Sequence, residues 1–242
     1  MESTELLYLE DLNILDADAQ VLDIYTENNI NIVILNRTSF YPQGGGQPCD
    51  TGIIESKSST FVVNEVKTEN GIVRHIGIFV NGFFNKDELV TCKINKERRL
   101  LLSRLHSAGH VIDMAINNLD IGWKPGRAYH FPEGPYVEYF GILDATKKDL
   151  LRKDIENESN NIVRTSLKTT LRFVSKQELM EICGFIPDYI TNTNKIRVIM
   201  FGNFGIPCGG THVVNLREIN KIIIRKIKIN QGGIRVAYEV DA

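Results

Sequence analysis

The stretch that most constrains this chain is Leu100–Leu119, LLLSRLHSAGHVIDMAINNL. Leu101, Leu105, Ala108, Ile112 and Ala115 recur there at helical spacing, beside a polar stripe of Arg99, Ser103, His106, His110, Asp113 and Asn117. Positions i and i+4 lie one above the other on a helix, so His106 and His110 can reach a single metal ion from one face. The stripe predicts histidines that border a cleft rather than fill a core. Asn95 is the expected N-cap and Glu97 complements the dipole of the first turn, while Gly122 and Pro125 mark the end.

Two histidines on a helix are common without a metal, and a second pair changes the reading. Cys208-Gly209-Gly210-Thr211-His212 brings a thiol and another imidazole. Thiolate and imidazole are the ligands that borderline-soft zinc prefers, and four such groups in two close pairs suit a tetrahedral site. His106, His110, Cys208 and His212 are therefore the candidate ligands.

A chain of 242 residues is long enough for one large domain or two smaller ones. No apolar run approaches the roughly 20 residues that span a bilayer. The acidic start MESTELLYLEDL lacks the basic and apolar regions of a secretory signal, so a cytoplasmic location is expected. The uneven spacing of Cys49, Cys92, Cys183 and Cys208 predicts reduced thiols. A formal net charge of −2 gives no general attraction to nucleic acid or anionic membrane, so an RNA partner would need local patches. Three are candidates: Lys93, Lys96, Arg98, Arg99 and Arg104; Lys147, Lys148, Arg152 and Lys153; and Lys221, Arg225, Lys226, Lys228 and Arg235. Each reads equally well as a solvated face.

From Leu6 to about Thr91 the pattern is of short strands, with turn chemistry at Asn28-Asn29, Asn70-Gly71 and Asn81-Gly82. This predicts a small β-barrel domain over residues 1–92. Within it lies FYPQGGGQPCDTG, Phe40 to Gly52. Its spacing is neither a P-loop nor a dinucleotide fingerprint, and the glycines alone read as a structural turn. The second domain, 93–242, holds the histidine helix and then a hairpin from Trp123 to Gly141 turning at Pro132-Glu133-Gly134-Pro135. A helix capped by Asp144 follows, then a strand near Ser166–Val174, a short helix at Gln177–Ile182 and a buried strand at Ile196–Phe201. A C-terminal hairpin turns at Asn230-Gln231-Gly232-Gly233. Strands and helices without regular βαβ alternation give an α+β class, with a mostly antiparallel sheet and helices packed on it.

HSAGH on a helix, CGGTHV, FYPQGGGQPxDxG in a barrel and the YHFPEGPYVEY hairpin together resemble the freestanding alanyl-tRNA editing proteins of the AlaX type, which are related to the editing domain of alanyl-tRNA synthetase. The likeness covers nearly the whole chain. It implies a trans-editing hydrolase, without the aminoacylation core, that cleaves the ester joining serine, and possibly glycine, to alanine tRNA. It also implies one zinc ion per chain on His106, His110, Cys208 and His212, with His212 the residue most suited to stand back as a base. Gly126 and Arg127 fall near the family's amino-acid pocket, Thr211 is a candidate for reading the serine hydroxyl, and Gly44, Gly45, Gly46 and Gln47 match its glycine-rich motif. The alternative is a tRNA-binding module with a closed structural zinc. A zinc peptidase is disfavoured because Ser107, Ala108 and Gly109 stand where HExxH carries its base. His130 and His75 read as packing and strand residues. The aromatics Trp123, Tyr129, Phe131, Tyr136 and Tyr139 either stack on the terminal adenine or pack the hairpin on the helix.

Overall fold

Paired left-handed residues turn the chain through the first of two units, Met1–Leu101. After a short β1 (Glu5–Leu6), β2 (Asp16–Glu27) meets β3 (Ile30–Leu35) through Asn28 and Asn29, at φ 51° and 63°. Then come β4 (Arg37–Thr38), parallel to β1, and β5 (Gly52–Glu55). β6 (Thr60–Glu69) meets β7 (Ile72–Asn81) through Asn70 and Gly71, at φ 51° and 80°, and β8 (Leu89–Ile94) ends the series. Two consecutive positive φ values make the turn whose twist matches the flanking strands, and Asn and Gly tolerate them best. The strands close a barrel in the order β2-β3-β7-β6-β5-β8, every neighbour antiparallel. Val21, Val33, Leu35, Phe40, Ile54 and Phe61 fill it, and bulges in β2 and β6 supply the curvature that closure needs.

The computed structural model describes residues 2–188, 190, 195–230 and 233–241, with backbone alone at 230. The turn expected at Asn230-Gln231-Gly232-Gly233 has its middle outside the described residues.

Helix α1 (Lys96–Asn118) starts in the first unit and runs into the second. Asn95 caps it, accepting the Arg98 N–H at 3.0 Å. At its end Asp120, at φ 50°, and the expected Gly122, at φ 76°, are both left-handed, and Ile121 N–H between them reaches back to Ile116 O at 3.3 Å. Aspartate and glycine are residues that tolerate this conformation. In the first turn Arg99 is 4% exposed, its Nε 3.1 Å from both carboxylate oxygens of fully buried Asp50, with Nη2 donating to Ser39 O. Arg99 is thus part of a buried ion pair and not of a cationic face.

The second unit, Leu102–Ala242, sets α1 against a four-stranded sheet. Its strands are β9 (Lys124–Tyr129), β10 (Tyr136–Phe140), β14 (Lys221–Asn230) and β15 (Gly233–Asp241), in the order β14-β15-β10-β9. A second antiparallel sheet joins β11 (Thr169–Val174), β12 (Ile196–Phe201) and β13 (Phe204–Pro207). α2 (Lys148–Arg164) packs beside β14, and α3 (Lys176–Cys183) covers the smaller sheet, its Leu179 buried with Val198 and Met200. Ser175 and Glu178 form the capping box of α3. Asp144 caps no helix: its carboxylate accepts from Thr146 N–H and Oγ1, closing the turn before α2. The architecture is α+β. No helix among the described residues is long and apolar enough to cross a membrane.

Candidate metal centre

The histidines of helix α1 were expected to border a cleft, yet from Leu102 to Ile116 every residue but the half-buried Arg104 and Asp113 is buried. Leu102, Ala108, Val111, Ile112 and Ala115 are fully buried, and so nearly are Ser103 (4%), His106 (3%) and His110 (8%). Each polar group there must find a partner in the protein or leave one for a ligand. Inside HSAGH each residue has a packing or bonding role. Ser107 Oγ accepts the Val213 N–H at 3.1 Å and lies 3.3 Å from His212 Nδ1. At Gly109 a Cβ would stand 2.5 Å from His130 Cε1, so only glycine lets that ring lie against the helix.

The loop after β13 faces this helix. Arg197, the second residue of an otherwise apolar β12, donates from Nη1 to Cys208 O (2.7 Å) and Gly210 O (3.0 Å), and Ser103 Oγ donates to Thr211 Oγ1 at 2.9 Å. These bonds pin both ends of Cys208–His212 over α1. The donor atoms of His106, His110, Cys208 and His212 consequently all lie within 4.8 Å of one another. A tetrahedron of ligands at zinc bond lengths has edges of about 3.3–3.8 Å, so the cluster would close on such an ion with shifts of about an ångström.

Two observations fit a metal. The Nε2 atoms of His110 and His212 are buried with no hydrogen-bond partner. The other nitrogen of each ring is held: His110 Nδ1 is 3.4 Å from Asp113 Oδ2, and His212 Nδ1 is beside Ser107. A ring whose Nδ1–H is taken by an outer acceptor has its Nε2 lone pair free for a metal. Asp113 is itself oriented, its Oδ1 accepting from Tyr139 OH at 2.6 Å.

Electrostatics agree. Burial pushes the Cys208 thiol up, but His110, the Gly210 N–H and Arg197 outweigh it and the thiol is lowered below its usual value. Burial and then the neighbouring imidazoles and Arg197 hold His106 and His212 well below the usual histidine range, so both are neutral. Burial also lowers His110, but Asp113 and Cys208 reverse it and raise the ring to about 9. Thiolate and neutral imidazoles are the forms a metal binds, so Cys208, His106 and His212 are in that form, whereas His110 is an imidazolium beside the Cys208 thiolate and must give up a proton to a metal that enters.

Of the other candidate residues, Thr211 lies against Ser103 in this unit, while Gly126 and Arg127 sit exposed on β9, an edge strand. Gly44–Gln47 belong to the first unit. There they form a tight turn in which Gly44 N–H and Gln47 N–H each donate to the other residue's carbonyl, with Gly45 and Gly46 at φ 53° and 78°. His130 is a packing residue: it stacks on His106 with ring centres 4.4 Å apart, and its Nδ1 is 2.7 Å from Tyr238 OH, which donates to Leu105 O. Phe131 and Tyr136 each stack on Tyr129, and Arg235 covers Tyr136. Arg152 is bonded to Ile224 O, and Arg235 is paired with Glu138, which leaves the second and third basic patches with fewer free cations than their composition suggested. Sequence reasoning missed Tyr238 and Arg197, and singled out Tyr139 as a hairpin aromatic without its bond to Asp113. Only Arg197 carried a signal, a lone charge in the buried-looking IRVIMF.

Residues 4–98 match the family described as class II (A) tRNA synthetases, and 196–236 match the second additional domain of threonyl and alanyl tRNA synthetases. The alanine–tRNA ligases of Methanobrevibacter smithii and Haloquadratum walsbyi are 29% and 28% identical over 96% and 97% of this chain, which spans about a quarter of their length. The alanyl-tRNA editing protein AlaX-M of Saccharolobus solfataricus is 32% identical over 98% of this chain and 99% of that protein. A chain that matches such a protein from end to end and carries this buried cluster of three histidines and a cysteine belongs to the AlaX-M family of alanyl-tRNA editing proteins.

Proposed function

We propose that this chain is a trans-editing hydrolase that removes chiefly serine, with glycine as a second substrate, from mischarged alanine tRNA at one zinc ion. The observation that carries the reading is the buried cluster with two unpartnered imidazole nitrogens turned into it. The reaction meets a physical need. A pocket made for alanine cannot strongly reject an isostere that only adds a hydroxyl, whereas a pocket that hydrogen-bonds the hydroxyl rejects its absence much more strongly.

When bound, zinc would supply Lewis-acid polarisation and an anchor for the aminoacyl ester. The residues that hold it are His106, His110 and Cys208, with Asp113 and Tyr139 fixing the His110 ring. His212 stands back and takes a proton at Nε2, while its Nδ1 is oriented by Ser107. Thr211, set by Ser103, reads the serine hydroxyl, and the edge strand at Gly126 and Arg127 offers backbone groups to the amino-acid end. Gly44, Gly45, Gly46 and Gln47 take part on the nucleic-acid side through a turn whose Gly44 and Gly45 are exposed and whose Gln47 is buried beneath it.

One observation favours a closed structural zinc in a tRNA-binding module: four donors are at hand, enough to complete a tetrahedron. Single-turnover deacylation of alanine tRNA charged with serine, glycine or alanine separates the readings, run on native, chelated and zinc-restored protein. Rapid zinc-dependent loss of serine with alanine spared is expected. Intact esters beside a folded, zinc-loaded protein would overturn the hydrolase.

A further inference from the structure

The outer face of the larger sheet, turned away from α1, carries charges and aromatic rings that the metal cluster does not use. Val137 and Tyr238 mark the inner face: a Cβ on Gly109 would stand 3.4 Å from Val137 Cγ1, and Tyr238 OH donates to Leu105 O. Residues directly opposite each other on neighbouring strands share a face. Lys226, Ala237, Tyr136 and Tyr129 form one such row on the outside, and Lys228, Arg235 and Glu138 form the next.

Three cations stand at the β14 end of these rows. Side chains alternate along a strand, which would turn either Arg225 or Lys226 inward. A bulge between Ile224 and Lys226 adds a residue, so both are exposed between the buried Ile224 and Ile227. Lys228 is exposed beside them. Arg225 Nη2 lies 3.4 Å from Pro135 O, a carbonyl, and none of the three cations is in an ion pair among the described residues. Arg235, by contrast, is neutralised by Glu138. In a chain of net charge −2, such a group is the local patch that an RNA partner needs.

The rings decide which form of RNA fits. Tyr129 lies between Phe131 and Tyr136, with ring centres 4.3 and 5.3 Å away and planes 10° and 15° from its own. Tyr136 meets Tyr129 from β9 on one side and Arg235 from β15 on the other, whose Cζ is 3.8 Å from its ring centre. The ring faces are spent on one another, so the bases of a single strand have little left to stack on. A base-paired stem asks for no such face, because A-form RNA is held through phosphates and 2′-hydroxyls across a wide, shallow groove. Lys226 and Lys228 project from one strand about 7 Å apart, close to the spacing of successive phosphates.

We infer that this face grips the base-paired acceptor arm of the tRNA, with Arg225, Lys226 and Lys228 on its phosphates. The inference rests on the editing function proposed above. α1 and its histidines lie on the other side of the sheet, so the single-stranded 3′ end rounds the edge at β9, where Gly126 and Arg127 are exposed.

Uncharged alanine tRNA, labelled at its 5′ end, would be titrated with zinc-loaded protein at salt from about 50 to about 200 mM and followed by anisotropy. Lys226→Ala/Lys228→Ala changes two exposed side chains outside the core. It is expected to weaken binding about tenfold at the lower salt and to make the slope of log K against log salt shallower by about two. KM for seryl-tRNA should rise, while kcat and zinc content stay at wild-type values. Lys57→Ala/Lys86→Ala takes the same charge from exposed positions of the first unit and should change neither affinity nor slope. An RNA hairpin should compete with the tRNA better than a single strand of equal length. Equal losses in both double variants, or wild-type affinity and slope in Lys226→Ala/Lys228→Ala, overturn the face. So does better competition by the single strand, or binding to phosphatidylserine vesicles in place of tRNA. Protein that binds uncharged tRNA through these lysines yet leaves seryl-tRNA intact supports the face and overturns the editing function instead.

Discussion

His75 sits inside the barrel, fully buried against Phe40, with both ring nitrogens engaged. Val33 O can only accept, so His75 Nδ1 carries the proton and donates to it at 3.0 Å, while Thr38 Oγ1 donates to Nε2 at 2.8 Å. Protonation would turn Nε2 into a donor facing a hydroxyl that already accepts the Phe40 N–H. Burial accordingly lowers the ring to about 4, against about 6.5 for an exposed histidine. With the folded pKa below the unfolded one, the unfolded chain binds more protons in between. Stability is therefore full above pH 6.5 and falls as the pH drops towards 4, by about 3 kcal/mol for this group. Nitrogen chemical shifts should show His75 as the neutral Nδ1–H form at pH 5.5 in the folded protein; titration near 6.5 would refute this. Its burial was not legible in IVRHIGIF, where both alternating faces carry apolar residues and only barrel closure selects Val73, His75 and Gly77 as the inner set. The cluster around His106 was legible because residue type alone narrows its chemistry. Tyr139, by contrast, comes to Asp113 through the register of a strand that pattern reading cannot set.

α2 shows what a helix does beyond burying its apolar stripe. β14 is the edge of its sheet and presents unpaired backbone groups, which usually invite aggregation. Arg152, Glu156 and Asn160 recur every fourth residue, so they lie on one face of α2 and take those groups up. Arg152 donates to Ile224 O at 2.9 Å and Glu156 accepts the Ile224 N–H at 2.7 Å. Asn160 accepts the Ile222 N–H at 3.0 Å and donates to Ile222 O at 2.7 Å. Asn160→Ala strands a donor and an acceptor together, so urea unfolding should show a loss of about 1–3 kcal/mol, and sedimentation more self-association. A change within error in both would mean that water replaces the amide at no cost. A helix was expected after Asp144, and it runs to Arg164 with Ile155 and Ile162 buried. The role of its polar face was not visible, because it depends on which strand ends up at the sheet's edge. α1 differs in the same way: its periodicity is real, but a sheet on one side and the Cys208 loop on another cover the stripe that a surface helix would expose.

Across the whole molecule, the cluster joins His106 and His110 to Cys208 and His212, segments distant in sequence that a bound metal would cross-link. Whether the fold needs that link follows from what else holds the ligands. Arg197 grips the Cys208 loop, Ser103 and Ser107 bond Thr211 and Val213, and Asp113 and Tyr139 steady His110, none of them through a metal. The ligands are set by the protein, as in sites that keep a position open for chemistry, whereas small metal-dependent folds lack such a frame. Chelation should therefore abolish deacylation and leave far-UV dichroism native. A ligand that binds only the folded state stabilises it by about 4 kcal/mol at a thousandfold excess over its Kd, so chelation should also lower the melting midpoint seen through Trp123, which lies in the second unit. The barrel has its own core in the first unit, and its exchange-protected amides should not move. Zinc returned to the protein should restore both midpoint and hydrolysis. If Trp123 instead reports unfolding at room temperature once the metal is removed, the side-chain frame is too weak to stand alone, and the zinc is a structural clamp on the second unit.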